Sequence, residues 1–562
     1  MEVDIKRTIK SNTSEDAIFQ YLLKDRGIKN IENFLNPRHP DEISLGHFFE
    51  NKVSHRKSWR KILNLLNKIK ENKKIIIVYT DYDADGITGG AIVWETLHTL
   101  GFNVMPYVPD RKKEGYGFSE KGINHIKEKY DPALIISVDH GIVAHKKITY
   151  AKKLGIPVII TDHHQKKETE PEDAFAVFHT SKLSGSGVAY FFAKELVNSF
   201  GDRHSQISPP ASGLKSQFSN DHLALASIGT IADLVPLTDE SRSIAKYGLE
   251  AFSKLKKPGL KEVLKEARID NRSITTYDIG FIIAPRINAF GRLKHGIEAL
   301  RLLCTNSIDQ ARELAKQAGN TNRTRQDIVE HSVVEAEQKV DPASKIIVLF
   351  SKLWEEGIIG LIASKLMNMY HRPVIIMTSS DGFAKGSARS IPGIDITKFL
   401  RDLQEILIDV GGHTAAAGFT IERKKVDEFI KKVIMKADKE IKKNQLVKHI
   451  IIDMEIPLQK VSLSLAKKIE MLEPFGIGNS TPVFLSQAIL QDIMLVGKDQ
   501  KHLKLLLRKD DIFLELIYFN GAEKSINLKH GDTIDVIYNL HVDEWNGKEK
   551  VKGVVREILH KL

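Results

Sequence analysis

The sequence predicts a multidomain α/β protein with a parallel sheet at its core and a β-barrel at its C-terminal end. Three observations carry this. From residue 71 to 295, apolar strand-like runs alternate with amphipathic helical stretches, the mark of a parallel sheet. Over 296–340 helical periodicity continues with few breakers, which reads as a long connecting helix ahead of a second α/β unit at 341–445. From 446 to 562, short runs such as Leu503-Lys504-Leu505-Leu506-Leu507 and Thr533-Ile534-Asp535-Val536-Ile537-Tyr538 alternate in the manner of barrel strands. A chain of 562 residues has room for about three such domains, each able to bury a core.

In order, residues 1–70 read as a basic, mostly helical segment broken at Asn36-Pro37 and His39-Pro40. Ile75 to Tyr79 is rich in β-branched residues and apolar throughout, as a buried parallel strand is. A helix follows over about 88–100, then a strand at 103–108 and a loop, Pro109-Asp110-Arg111 to Gly117. The strand at 133–138 runs into Asp139-His140-Gly141, and the strand at 156–161 runs into Asp162-His163-His164. Residues 202–220, with Pro209-Pro210 and several serines, read as a flexible insertion. The apolar run Leu223 to Ile231 then carries Asp233 just past its end.

The chain is organised around Asp81-Tyr82-Asp83-Ala84-Asp85-Gly86, which follows the first strand directly. If the backbone stays extended, alternate side chains share a face about 7 Å apart. Three carboxylates so placed repel one another unless a cation sits among them. A hard divalent ion with oxygen ligands is the natural candidate. A solvated acidic turn is the plainer reading. The stretch also matches the opening of an EF-hand loop, but the twelfth position, where that loop needs Glu, is Ile92, and a strand rather than a helix precedes it.

Asp81, Asp83, Asp85, Asp139, Asp162, His163, His164 and Asp233 all stand at or just beyond apolar runs. Ligand sites of open parallel sheets collect at the carboxyl ends of strands, so these residues can converge in one crevice. Five carboxylates with one or two imidazoles can hold two divalent ions with one carboxylate bridging. Mixed Asp and His ligation suits Mn²⁺ or Mg²⁺. Two such ions can support in-line phosphoryl transfer. Taken singly, Asp139 could be a helix cap and His164 a core histidine.

Composition limits the alternatives. The hydrophobic content of 42% and charged content of 28% are those of a globular protein. Cys304 is the only cysteine, so no intramolecular disulfide can form, which suits a reducing compartment. The charged opening Met1-Glu2-Val3-Asp4 is unlike a leader peptide, and no apolar run approaches a membrane span, so a cytoplasmic protein is expected. A net charge of +11 favours a polyanionic partner.

At these residues the chain resembles the DHH phosphoesterase superfamily, whose four metal-binding motifs are matched by Asp81 to Gly86, Val138 to Gly141, Asp162 to His164, and Ala232-Asp233. Further stretches resemble its RecJ-type branch, the single-strand-specific 5′→3′ exonucleases. These are Arg111 to Gly117, Gly185 to Val188, Pro285 to Arg292, Asn322 to Gln326, and Gly411 to Gly418. His140 stands where this family more often has Asn. The resemblance implies a DHH catalytic domain, a DHH-associated second α/β domain and an OB-like barrel. It implies that Asp81, Asp83 and Asp139 hold one ion, and that Asp85, Asp139, His163 and Asp233 hold the other. Asp162 and His164 would support them from behind. His413 would donate to the scissile phosphate beside the backbone of Gly411 and Gly412. Ser387 and Arg389, assisted by Arg111, would bind a terminal 5′-phosphate.

The expected activity is two-metal-ion hydrolysis of single-stranded DNA from its 5′ end to mononucleotides, in repair and recombination. The expected partners are single-stranded DNA and a helicase or single-strand-binding protein, with the enzyme acting as a monomer. A DHH phosphodiesterase acting on short oligoribonucleotides or dinucleotides is the same-class alternative. An inactive DNA-binding replication scaffold is the other, and it predicts eroded metal ligands. In the barrel, one or two of Phe475, Phe484, Phe513, Tyr518, Phe519, Tyr538 and Trp545 are expected to stack on bases, helped by Lys501 and Lys504.

Overall fold

The structure is a computed structural model that describes residues 1–49, 52–111, 113–115, 117–166, 168–200, 218–545 and 547–559. Residues 202–217 of the expected insertion lie outside this set, as do Lys112 and Tyr116 of the loop after 109. The chain divides into two compact units. The larger comprises Asp4–Gly291, His295–Ala318 and Ile451–Leu562, and the smaller comprises Met1–Val3, Arg292–Lys294 and Gly319–Ile450.

At the centre of the larger unit is a five-stranded, all-parallel sheet. Its spatial order is Val104–Tyr107, Ile76–Thr80, Leu134–Val138, Val158–Asp162, Ala176–His179. Every residue of the three central strands is buried, which is why they read as continuous apolar runs rather than alternating ones. Alternate side chains serve two cores. Ile76, Val78, Ile136 and Val138 face the helices Ala84–Thr99 and Gly185–Phe200. Ile77, Tyr79, Ile135 and Ile160 face Glu120–Tyr130 and His145–Lys153. Strand order reverses at Ile76–Thr80, whose neighbours are the second and third strands. That switch point opens a crevice at the strand ends.

One local expectation changes. After Thr80 the backbone does not stay extended: Asp83 caps a helix that already begins at Ala84, so Asp85 and Gly86 lie in its first turn. The apolar run at 223–231, open between helix and strand, is the helix Leu223–Ala232 with Asp233 at its C-cap. Leu223 to Ile231 is buried on every side, and a segment buried all round carries no periodicity to separate the two readings. Beyond 296 a short helix, Ile297–Cys304, precedes the 30-residue helix Ile308–Glu337, which begins where Ser307 Oγ accepts the Gln310 N–H.

The barrel has five strands, Phe484–Val496, His502–Lys509, Ile512–Tyr518, Thr533–Trp545 and Lys548–Leu559. It closes where the first pairs the fourth (Phe484 opposite Tyr538) and the third runs parallel to the fifth (Leu516 opposite Gly553). A Cβ at Gly553 would stand 2.2 Å from the Leu516 side chain, so the closing pair needs glycine there. Leu503, Leu505, Leu507, Leu514, Leu516 and Tyr538 fill the interior, and Phe484 is buried with them. Phe513 and Phe519 face solvent. Lys504 is paired with Glu515 at 2.8 Å and Lys501 lies 3.8 Å from Asp499, so neither is an uncommitted positive charge.

The N-terminal segment is shared between cores. Ile9, Ile18, Phe19, Leu22 and Leu23 pack into the barrel core, whereas Ile43, Trp59, Ile62 and Leu66 pack against the parallel sheet. Arg242 fastens the two parts. It is 1% exposed, and it donates to the carbonyls of Phe34 (2.6 Å), Leu472 (3.0 Å), Glu473 (2.7 Å) and Pro474 (3.2 Å), with its guanidinium 3.8 Å over the Phe34 ring. The Leu237 N–H, four residues past Asp233, donates to Ile477 O at 2.7 Å.

The smaller unit holds a mixed sheet in the order Asp409–His413, Ala416–Glu422, Phe383–Arg389, Val374–Ser380, Ile347–Phe350. Only the last pair is parallel. The helices Ile359–Tyr370 and Val426–Glu440 pack on it.

Candidate metal centre

The eight aspartates and histidines singled out in the sequence converge at the switch point. Asp81, the first residue past its strand, is buried, and the first turn of Ala84–Thr99 lies directly over it. A Cβ at Gly86 would stand 2.8 Å from the Asp81 side chain. Asp83 Oδ1 accepts the N–H groups of Asp85 and Gly86, both at 3.0 Å, as a helix cap does. The Ala84 N–H donates to Asn288 Oδ1 at 2.7 Å. Asp85 is turned toward a second helix start, accepting the N–H of Gly185 at 2.7 Å and of Ser186 at 2.9 Å. Asp139 has a left-handed backbone, φ 65°, and a Cβ at Gly185 would lie 2.3 Å from its Oδ1.

His163 Nε2 sits 3.2 Å from Asp139 Oδ1, 3.4 Å from Asp233 Oδ2 and 3.8 Å from Asp85 Oδ2. Ligand atoms of Asp81, Asp83 and Asp139 lie within 4.8 Å of one another, and so do those of Asp85, His163 and Asp233. Asp139 therefore belongs to the first group and reaches the second through His163. Among the described residues, Asp162 belongs to none of these ligand groups. Its oxygens accept from the N–H groups of His163 (2.7 Å), His164 (3.1 Å) and Ile142 (2.8 Å), and from the His164 ring at 2.8 Å. It fixes the turn that presents both imidazoles.

Electrostatics show what the cluster is suited to bind. Burial, then the neighbouring carboxylates, raises Asp81, Asp83 and Asp139 above the ordinary carboxylate range and pushes Asp233 up to about 8. Burial keeps the His163 ring neutral, as a ligating imidazole must be. Burial would also lower His164, but the hydrogen bond and charge of Asp162 outweigh it and carry the ring up to about 9. Asp162 stays ionised well below the usual range, because His164 and the three N–H donors overcome its burial. Asp81 Oδ1 and His163 Nε2 are buried without a hydrogen-bond partner. Unpartnered lone pairs among mutually repelling carboxylates fit a hard divalent cation with oxygen and imidazole ligands, Mn²⁺ or Mg²⁺.

Around this group, Arg111 lies with its guanidinium carbon 5.1 Å from the centre of the Tyr82 ring and contributes positive charge near Asp81. His140 faces away. Its ring packs edge-on to Tyr79 and Phe118, Nε2 lies 3.0 Å from Tyr79 O, and burial pushes it down to about 4. It is a neutral core histidine. Gly185, Ser186 and Asn288, which hold Asp85 and the Asp83-capped helix, carried no individual role in the sequence. Their only signal was that they fall within family-like stretches.

Ser387, Arg389, Gly411, Gly412 and His413 belong to the smaller unit. Arg389 Nη1 donates to Ser387 Oγ at 3.2 Å on one strand, and a Cβ at Gly360 would stand 3.0 Å from both Ser387 Oγ and Arg389 Nη2. Gly411, Gly412 and His413 lie exposed on the edge strand, and Gly412, φ 147°, has room only for hydrogen, since a Cβ would meet Ala416 O at 2.2 Å.

Three family models match the chain: the N-terminal domain of the DHH family at 75–229, the DHHA1 domain at 343–439 and the RecJ OB domain at 452–557. A parallel sheet with this aspartate–histidine cluster at its switch point defines a metal-dependent DHH phosphoesterase. Among characterised relatives, the single-stranded-DNA-specific exonuclease RecJ of Salmonella typhimurium is 30% identical over 523 residues, covering 88% of this chain and 89% of the relative. The corresponding Bacillus subtilis protein is 34% identical over 504 residues, covering 87% of this chain, which spans 62% of that relative's length. The crystal structure of RecJ from Thermus thermophilus in complex with Mn²⁺ superposes with a TM-score of 0.80 at 25% identity, covering all of this chain and 80% of that one. A manganese-bound exonuclease RecJ matches 68% of this chain and 94% of its own, at 31% identity and a TM-score of 0.57. The chain belongs to the RecJ family of single-stranded-DNA-specific exonucleases. Among the described residues no helix is long and apolar enough to cross a membrane.

Proposed function

We propose that this protein hydrolyses single-stranded DNA from the 5′ end and releases mononucleotides. The observation that carries the reading is the pair of ligand groups, Asp81–Asp83–Asp139 and Asp85–His163–Asp233, linked by the 3.2 Å approach of His163 to Asp139. Divalent ions held by these residues would supply Lewis acidity for phosphodiester hydrolysis. The chain supplies the rest. Asp139 belongs to the first group and, 3.2 Å from His163, is proposed to bridge to the second, while Asp162 fixes His163 and His164. His164, held by Asp162 at 2.8 Å, is proposed to donate to a phosphate oxygen. His413 and the Gly411–Gly412 backbone are proposed to meet the same phosphate. Ser387 and Arg389, with Arg111, are proposed to hold the terminal 5′-phosphate. The enzyme would act as a cytoplasmic monomer in repair and recombination, on strands exposed by a helicase or coated by a single-strand-binding protein.

The test is digestion of 5′- and 3′-labelled single strands with Mn²⁺, Mg²⁺ or EDTA. Labelled mononucleotide should appear at once from the 5′ label, the 3′ label should remain on shrinking fragments, and EDTA should stop both. Release from the 3′ end first, or cleavage confined to dinucleotides, would overturn the reading. Arg389→Ala should narrow the preference for 5′-phosphate over 5′-hydroxyl ends by roughly ten- to a hundredfold, the value of a charge-assisted hydrogen bond.

A further inference from the structure

We propose that Tyr277 and Phe281 form a stacking platform for unpaired bases on the 3′ side of the scissile phosphate, an inference that rests on the single-strand reading above. Both rings are turned to solvent, 61% and 67% exposed, and they stack on each other with centroids 4.8 Å apart and planes 23° from parallel. Lone exposed aromatics are ordinary. A stacked pair this exposed, held on a rigid element, is not.

The element leads straight to the metal centre. Asp278–Ile283 and Ala284–Leu293 form one continuous helical run, and its Asn288 accepts the N–H of Ala84 at the helix start capped by Asp83. Tyr277 and Phe281 are exposed and Pro285 and Asn288 half-buried along the same helical run, which leads from the aromatic pair to the metal-binding turn. The opposite face, with Ile279, Ile283 and Ile287, is core. Seven residues separate Phe281 from Asn288, about 10 Å of helix. The platform is fixed in advance. Asp278, wholly buried, accepts from Thr275 N and Oγ, both at 2.9 Å, and from both ends of the Arg272 guanidinium at 2.8 and 2.5 Å. A preordered aromatic surface loses little entropy when a base settles on it. Every unpaired base offers a π-face whatever its sequence, whereas duplex bases are already stacked and paired.

The experiment uses the full chain and 3′-fluorescein oligothymidylates of increasing length, with binding followed by anisotropy in EDTA. In the double variant Tyr277→Ala/Phe281→Ala, the shortest strands should bind as to the native protein, and longer ones roughly ten- to a hundredfold more weakly. Abasic residues placed one position at a time should locate one or two sites at which the native protein loses affinity, and the variant should be indifferent there. Tyr277→Trp/Phe281→Trp should keep the native profile. Equal affinity of the alanine variant at every length, an unchanged abasic profile, or weakening that is the same for the shortest strands would overturn the platform. Mononucleotide release by the native protein decides the exonuclease reading independently, because the platform is judged on binding alone.

Discussion

Asp233 shows how one residue sets a condition on the whole centre. Without metal its carboxyl is pushed up to about 8 by burial and by Asp85 and Asp83, so below that pH it is mostly protonated. Ligation requires the carboxylate, and binding an ion must therefore displace a proton. Because Asp81, Asp83 and Asp139 are raised as well, affinity for Mn²⁺ should rise with pH from 6 upward, and proton release should fall as it does. Calorimetric titration in buffers of different ionisation enthalpy measures both, and equal affinity at pH 6.5 and 8.5 would contradict the assignment. Asp81, Asp139 and the two histidines were legible in the sequence because they stand just past apolar strand runs, and Asp83 and Asp85 because they follow Asp81 at alternate positions. Asn288 was not, because an amide that accepts a single N–H from another segment leaves no pattern of its own. The histidine at 140 was visible but its role was not, since only the folded chain shows Tyr79 and Phe118 closing around it.

At the scale of elements, the helix Ala84–Thr99 carries the ligands at one end and is held at the other by a buried charge network. Glu95 accepts from His222 Nε2 at 3.0 Å and is ion-paired with Lys257. Burial alone would raise its pKa, and His222 and then Lys257 reverse that, so it lies below the ordinary value. A depressed carboxyl adds stability above its unfolded pKa, and that stability is lost as pH falls through the folded value. Glu95→Gln should destabilise the protein at pH 7 by about 3 kcal/mol, as breaking a buried pair does. The difference from native should shrink below pH 4. A melting series across pH checks this, and a constant difference would remove the charge from the explanation. The run Leu223–Ala232 could not be assigned to helix or strand from the sequence for a physical reason: its Ala, Ser and Gly positions are as buried as its Leu and Ile positions, so neither a 3.6 nor a 2 residue period survives.

At the scale of the molecule, the order of sheet, second α/β unit and barrel was legible, because each segment keeps its own hydrophobic period. The division of the N-terminal segment was not. An amphipathic helix announces that it has a buried face but not what covers it, and Ile18, Phe19, Leu22 and Leu23 are covered by a barrel more than 400 residues further on. Arg242 makes that long-range attachment specific, because its guanidinium is spent on four main-chain carbonyls. Arg242→Met removes the donors and leaves the four carbonyls to find others, which should cost on the order of 3 kcal/mol. Thermal unfolding should register the loss while hydrolysis at low temperature persists. A variant with native stability would show that the apolar contacts alone hold the barrel in place. For the same reason, ending the chain near Asn444 would uncover the apolar face of the first helix, so a shortened protein should also lack residues 1–35 if it is to remain soluble.

The central claim is that one carboxylate, Asp139, serves two adjacent ion sites. A Mn²⁺ titration of the native chain and of Asp139→Ala, each shown by circular dichroism to be folded, tests it directly. The native protein should bind two ions, and Asp139→Ala should lose detectable binding of both in the same concentration range. Retention of either ion at native affinity by Asp139→Ala would contradict a shared ligand.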